Sequence, residues 1–411
     1  MTWRFMKPIT FIGSVAALFI LLGCVLGSIG SVLPWPPSLF VPTWTRSYQL
    51  YQQPHAIWLD RYDRVGANLD LLTKVLKAAA KARQTPELVV YSIPLRDLGQ
   101  SSEGGFATYE DYLADNRENA RLIRKFVDET KLHPVIYLEP DSLPLAVQYR
   151  EDRNNDAESR KIYDERIRVM RTLIALYSKA GAKVYLEAGH SGWFDYADEN
   201  IRRIAAALNE AGIAQASGLA SNVSNRQPVV GLNPDNRTEF HYLKRLLPLL
   251  DNPHLDVRVD TSRNGGTTRP RRYYLAADGR LWDDETLQGR LVGRWRQDTG
   301  ADGNQQITLL PFFGKSKRLQ KLIGNEKYVW DDKRSILTAP GWLDPVGDVK
   351  LGPPPTDAPP ENVKSVIQHY RYIKPPDDCD GALNYPPGAS KHDINAETAR
   401  QQPSTLPQMP W

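Results

Sequence analysis

From residue 65 onward two hydrophobic rhythms alternate along the chain. Residues 65–83 repeat apolar positions with the period of a helix, and residues 88–94 (LVVYSIP) follow as a short apolar run rich in β-branched side chains. The same order recurs: helical 109–130 into 134–140 (PVIYLEP), 156–180 into 183–190 (KVYLEAGH), 201–211 into 216–222 (ASGLASN), and 240–250 into 255–262 (LDVRVDTS). Almost continuously apolar strands separated by helices predict a parallel sheet covered by helices, either an α/β barrel or a doubly wound sheet. The alternation breaks over 267–340. There, residues 290–313 (RLVGRWRQDTGADGNQQITLLPFF) predict two strands around a turn-rich DTGADGN, so this stretch reads as a β-rich insertion, and helix–strand alternation resumes near 363–374.

Ahead of this domain, Arg4 and Lys7 precede an uncharged stretch over 8–37, long and apolar enough to cross a bilayer as a helix. This is a signal-anchor pattern. It predicts a membrane-anchored chain whose main domain is extracytoplasmic, periplasmic or at the cell surface. The segment Leu21-Leu22-Gly23-Cys24 leaves a lipoprotein site as the alternative anchor. Residues 38–55 read as a linker or an extended wrap, 56–384 as the main domain, and 385–411 as an irregular tail.

Polar or acidic residues recur at the C-terminal ends of the expected strands: Asp97, Glu139 and Asp141, Glu187 and His190, Asn222 and Asn225, Asp260 and Arg263. In parallel α/β folds those ends open into the loops that build a site. Other chemistries are disfavoured. The 52 Lys plus Arg against 48 Asp plus Glu give no basic field for nucleic acid. Seven histidines without ligand spacing and only two cysteines argue against zinc, and neither a Walker loop nor GxGxxG occurs, so no metal or other cofactor is expected. The segment Gly189-His190-Ser191-Gly192-Trp193 falls short of a nucleophile elbow because Trp193 stands where the second glycine is needed. Carboxylates on one rim are what glycosidic cleavage requires, one to protonate the leaving oxygen and another to assist water.

These segments, in order, resemble the family 6 glycoside hydrolases, the cellobiohydrolases and endoglucanases that cut cellulose with inversion. The match runs through IWLD, VVYSIPLRD, SSEGGF, YLEPDSL, YLEAGHSGWF, GLASNVSN, DTSRNG, GWLDPVGDVKLG and YIKPPDDCDG, spanning residues 56–382 apart from the insertion. The resemblance implies a distorted barrel of about seven parallel strands with a groove or tunnel across the strand C-termini. It implies Asp141 as general acid and Asp97 as the second carboxylate, which keeps the acid protonated. Tyr91 matches a tyrosine near the distorted sugar, and Ser102 a serine on a mobile loop that holds the attacking water. Asp380 matches a carboxylate considered as the base. Glu187 takes the place of the aspartate in the family's LDAGH, one methylene longer. Among sugar contacts, Trp58, Trp193 and Trp342 match stacking tryptophans, Asp60, His190 and Asn225 match polar contacts, and Lys374 and Asp378 match sugar-binding positions; Arg96 is carried with them. Leu98 and Leu343 replace disulfide cysteines, and the SSEGGF loop is one residue shorter than its usual counterpart.

The expected function is therefore inverting hydrolysis of β-1,4-glucosidic bonds in cellulose or a related β-glucan. The rival is a non-catalytic, membrane-tethered glucan-binding or scaffold protein in which the tryptophans merely hold a chain.

Overall fold

The first six strand-like runs pair side by side in the order in which they occur, all parallel: β1 (Ile57–Leu59), β2 (Glu87–Val90), β3 (Val135–Leu138), β4 (Lys183–Glu187), β5 (Gly218–Ser221) and β6 (Asp256–Asp260). Next come β7 (Arg271–Leu275), β8 (Arg280–Trp282), β9 (Leu291–Thr299), β10 (Gln305–Pro311), β11 (Lys317–Leu319), β12 (Val329–Asp331) and β13 (Ile336–Ala339), which form a separate antiparallel sheet. The chain then returns as β14 (His369–Arg371), parallel to β6, and completes a seven-stranded parallel sheet. The structure, a computed structural model, describes residues 35–42, 52–99, 102–195, 197–230, 238–252, 255–264 and 351–374, together with the strands and one connecting turn between 271 and 339.

Period-two alternation splits the parallel sheet into two apolar faces. Leu88, Val90, Ile136, Leu138, Val184, Leu186, Leu219, Val257 and Val259 belong to the large outer core with the helices. Val89, Tyr91, Val135, Tyr137, Tyr185, Ala220 and Ile373 form a second, inner cluster, with Trp58 packed on it. Where the edge strands meet, the Ala56 N–H donates to Tyr372 O at 2.9 Å and the Trp58 indole N–H to Ile373 O at 2.8 Å. The sheet is thus curled into the distorted barrel that the sequence predicts, with the expected β-rich insertion leaving and returning between two neighbouring strands, β6 and β14.

The helices lie between the strands: α1 (Leu69–Ala82), α2 (Tyr109–Thr130), α3 (Ser142–Asp152), α4 (Ala157–Lys179), α5 (Ser191–Phe194), α6 (Asp198–Glu210) and α7 (Glu239–Leu246). Each of the long ones buries a stripe, as Leu72, Val75, Leu76 and Ala79 do on α1. Helix α1 starts four residues later than the periodicity predicts, because turns and Gly66 at φ +81° occupy the approach. Before β14 the chain runs through turns over 361–366 rather than a helix.

The N-terminal end of the barrel is closed by charge and by chain. Inside it, Glu87 accepts from Arg258 Nη1 at 2.7 Å, Arg371 Nε at 3.0 Å and Tyr137 OH at 2.9 Å. Burial alone would raise the Glu87 carboxyl, but the two guanidiniums outweigh it and hold it below the usual range. Below this cluster, Leu39 and Phe40 are buried, and Phe40 N donates to Thr85 O. The first part of the expected linker is therefore a piece of the barrel floor, because its apolar side chains have an opening to cover. Among the described residues no helix is long and apolar enough to cross a membrane, and the expected anchor lies outside them up to residue 34.

Candidate active site

Strain marks the opposite end of the barrel. Leu95 (φ 53°), Asp97 (60°) and Leu98 (45°) after β2, Glu139 (42°) and Asp141 (67°) after β3, and Asn222 (65°) and Ser224 (64°) after β5 all adopt left-handed backbone without being glycine. Each such residue costs about 1–2 kcal/mol, so a cluster on one rim needs compensating contacts and points to a site. Asp141 stands at the N-cap position of α3, yet its side chain makes no capping hydrogen bond. Helix capping therefore does not explain this aspartate.

Five of the expected residues come together there. The Asp141 N–H donates to Glu187 Oε2 at 3.0 Å, joining the ends of β3 and β4. Burial, and then the Asp141 charge, pushes the Glu187 carboxyl well above the usual carboxylate range. Two neighbouring acids in a dry setting cannot both ionise cheaply, which favours the protonated form of Glu187. The Tyr91 phenol is raised by burial and then by the charges of Asp141 and Asp97. Asp97 Oδ2 accepts the Ser102 N–H at 2.5 Å, so the second acid and the serine loop are fastened to each other.

Arg96, also among the expected residues, is packed beneath this loop. Its side chain is 2% exposed, donating from Nε to Ser102 O at 2.8 Å and from Nη1 to Tyr91 O at 2.9 Å while lying 4.6 Å from the Tyr91 ring centroid. A guanidinium directed at carbonyls and an aromatic face shapes the loop that carries Asp97.

Two aromatic stations flank the acids. On one side Trp58 meets Tyr91 edge to face at 5.1 Å, with Lys374 Nζ 4.2 Å from the Trp58 ring. On the other, His190 stacks on Trp193 at 5.2 Å, and the Trp193 indole donates to Gln148 Oε1 at 2.7 Å. Both tryptophans are half-buried, so each keeps part of a face for a ligand. Asp60 is exposed beyond β1, and Asn225 bonds locally to Val223 O. Trp342, Asp378 and Asp380 lie outside the described residues.

Two buried acids have roles the sequence does not disclose. Glu139 Oε1 accepts from Ser92 N–H at 2.9 Å and Tyr112 OH at 2.7 Å, and burial pushes its carboxyl up to about 7. Glu239, from α7, accepts from Ser191 N–H at 2.7 Å and from the Ser221 hydroxyl, and burial raises it to about 7 as well. Glu139 sits at a recognised strand end, so its position is legible while its role is not. Glu239 follows a Thr cap like any first-turn acid and carries no such signal.

The comparisons with known proteins agree with this architecture. Endoglucanase A of Thermobispora bispora is 33% identical over 251 residues, covering 60% of this chain and 47% of that protein. Endoglucanase 1 of Streptomyces sp. (strain KSM-9) is 31% identical over 245 residues, covering 59% and 57%. The chain spans about half the length of the curated relatives it matches. In fold, the endoglucanase Cel6 from Mycobacterium tuberculosis superimposes with a TM-score of 0.51 at 22% identity, covering 84% of this chain and 91% of that one. The model of glycosyl hydrolases family 6 matches residues 44–274, more than half of the sequence, and with the parallel barrel and its acidic rim in place the chain belongs to that family.

Proposed function

We propose that this protein hydrolyses β-1,4-glucosidic bonds in cellulose or a related β-glucan, with inversion. One observation carries the reading: the Asp141 turn is bonded to a buried carboxyl, Glu187, at the same rim where Asp141 and Asp97 both act on Tyr91. Such a pair stores the proton that a leaving glycosidic oxygen needs, and Asp141, next to the half-buried aromatics, delivers it. Asp97 remains as a charge that stabilises the developing oxocarbenium ion, with the Ser102 loop fastened to it. Water attacks from the opposite face, which in inverting enzymes calls for roughly 6.5–9.5 Å between acid and base carboxyls. The relatives named endoglucanase support the substrate class.

A scaffold protein has no use for a buried proton reservoir beneath an aspartate, which favours catalysis over mere binding. The test is release of reducing ends from a soluble cellulose derivative by the chain from residue 35 onward, which keeps the floor segment. Proton NMR of the first product should show the α-anomer ahead of mutarotation. Binding without release would favour the scaffold, and an initial β-anomer would end the inverting assignment. The apolar run over 8–37 supports, in addition, attachment to a membrane with the barrel outside the cytoplasm; membrane fractionation with protease access from outside tests this part separately.

A further inference from the structure

Arg166 lies on the buried stripe of α4 and is fully enclosed, although nothing in the resemblance gives it a task. Its fork spans two loops. Nη2 donates to Leu95 O at 2.7 Å, and Nη1 donates to Ser142 Oγ at 2.5 Å. Leu95 is two residues before Asp97, and Ser142 is one residue after Asp141. Glu139 makes the same connection from the other side: its N–H donates to Val90 O, its carboxyl takes the N–H of Ser92, and its carbonyl takes the N–H of Ser142. A cation and an acid thus tie the segment that leads to Asp97 to the turn that bears Asp141. Leu95 and Glu139, which are so tied, and Asp141, which lies between Glu139 and Ser142, are in left-handed backbone, a conformation that persists only where the surroundings over-determine it.

We infer that Arg166 and Glu139 are positioning residues that set the separation between Asp97 and Asp141 from beneath the site, without touching substrate. Arg166 is the sharper handle because its bonds end on two different loops. A guanidinium fork reaches both ends at once, whereas a lysine ammonium is a single point on a flexible stem. Besides burial, the groups that act most strongly on the Arg166 charge are Tyr109, Glu139, Tyr112 and Tyr91.

The inference rests on the proposed hydrolysis, so the test carries one readout that does not. Full-length wild type, Arg166→Lys, Arg166→Met and Tyr177→Phe are compared at a temperature where each is folded by circular dichroism. Tyr177→Phe is the control: it removes a buried hydrogen bond from the same helix, to Asn116, and touches neither loop. Arg166→Lys keeps charge and loses the fork, so kcat on soluble glucan should fall about 10-fold to 100-fold with KM little changed, while Tyr177→Phe keeps its kcat. Arg166→Met additionally removes a buried cation and should move the acidic limb of the pH profile upward, which Arg166→Lys should not. Crystal structures of wild type and Arg166→Lys should differ in the Asp97–Asp141 carboxylate separation, a readout that stands even without hydrolysis. If Arg166→Met does not fold, Arg166→Lys alone decides. Unchanged kcat in Arg166→Lys, a loss matched by Tyr177→Phe, or an unchanged carboxylate separation would overturn the inference.

Discussion

Glu187 is one methylene longer than the aspartate usual at its place, and it ends within hydrogen-bond distance of the next loop's backbone. Its Oε2 takes the Asp141 N–H. At this scale two outcomes are expected. Asp141→Asn removes the proposed proton donor without changing shape, so kcat on a soluble glucan should drop by about 10²–10⁴-fold while near-ultraviolet circular dichroism stays native. Glu187→Gln keeps an oxygen for Asp141 but ends the repulsion between two acids. The alkaline limb of the kcat profile should then move to lower pH by about one unit, since the pair no longer holds its proton as strongly. A limb that stays in place would show that Glu187 does not govern protonation at the rim.

Elements, rather than single residues, explain what the sequence could and could not disclose. The β3 and β4 segments were legible because apolar runs end in acids, a sequence-local pattern. Arg166 was half legible: it falls in register with Ile162 and Met170 on the buried stripe of α4, where a charged residue needs a reason. Its reason lies on two other loops and cannot be read along one helix. Glu239 was illegible for the same cause, since Ser191 and Ser221 are distant in sequence and meet it only in the fold. Its burial has a thermodynamic signature. The folded state keeps a proton on Glu239 up to about 7, whereas the unfolded chain releases it near the ordinary value of 4.5. Stability from this group is full below the unfolded value and declines as pH rises to about 7, by on the order of 3 kcal/mol. Urea midpoints at pH 4.5 and pH 8 should therefore fall less steeply in Glu239→Gln than in wild type; equal slopes would contradict the assignment.

Over the whole molecule the barrel keeps its two ends chemically distinct. The rim holds acids that burial pushes toward the neutral form, whereas the interior toward the other end holds Glu87 ionised between Arg258 and Arg371. Glu87→Ala leaves two buried guanidiniums without their shared partner and should cost about 3–5 kcal/mol in urea unfolding. A loss below about 1 kcal/mol would mean that water or Asp357 takes over. Parallel strands and the β-rich insertion were predictable from periodicity, but closure was not, because the Ala56–Tyr372 contact joins the two ends of the domain.

The floor segment gives the molecule an orientation. The Thr85 N–H donates to Ser38 O and Leu39 bridges to Thr85 just before β2, so the segment from residue 35 lies on the underside, behind the N-terminal ends of the strands. Four or five strand residues, at about 3.3 Å each, separate that point from the acids. Under the proposed function, an attachment at the leading end would meet the back of the barrel, and a glucan would reach Asp141 from the opposite side.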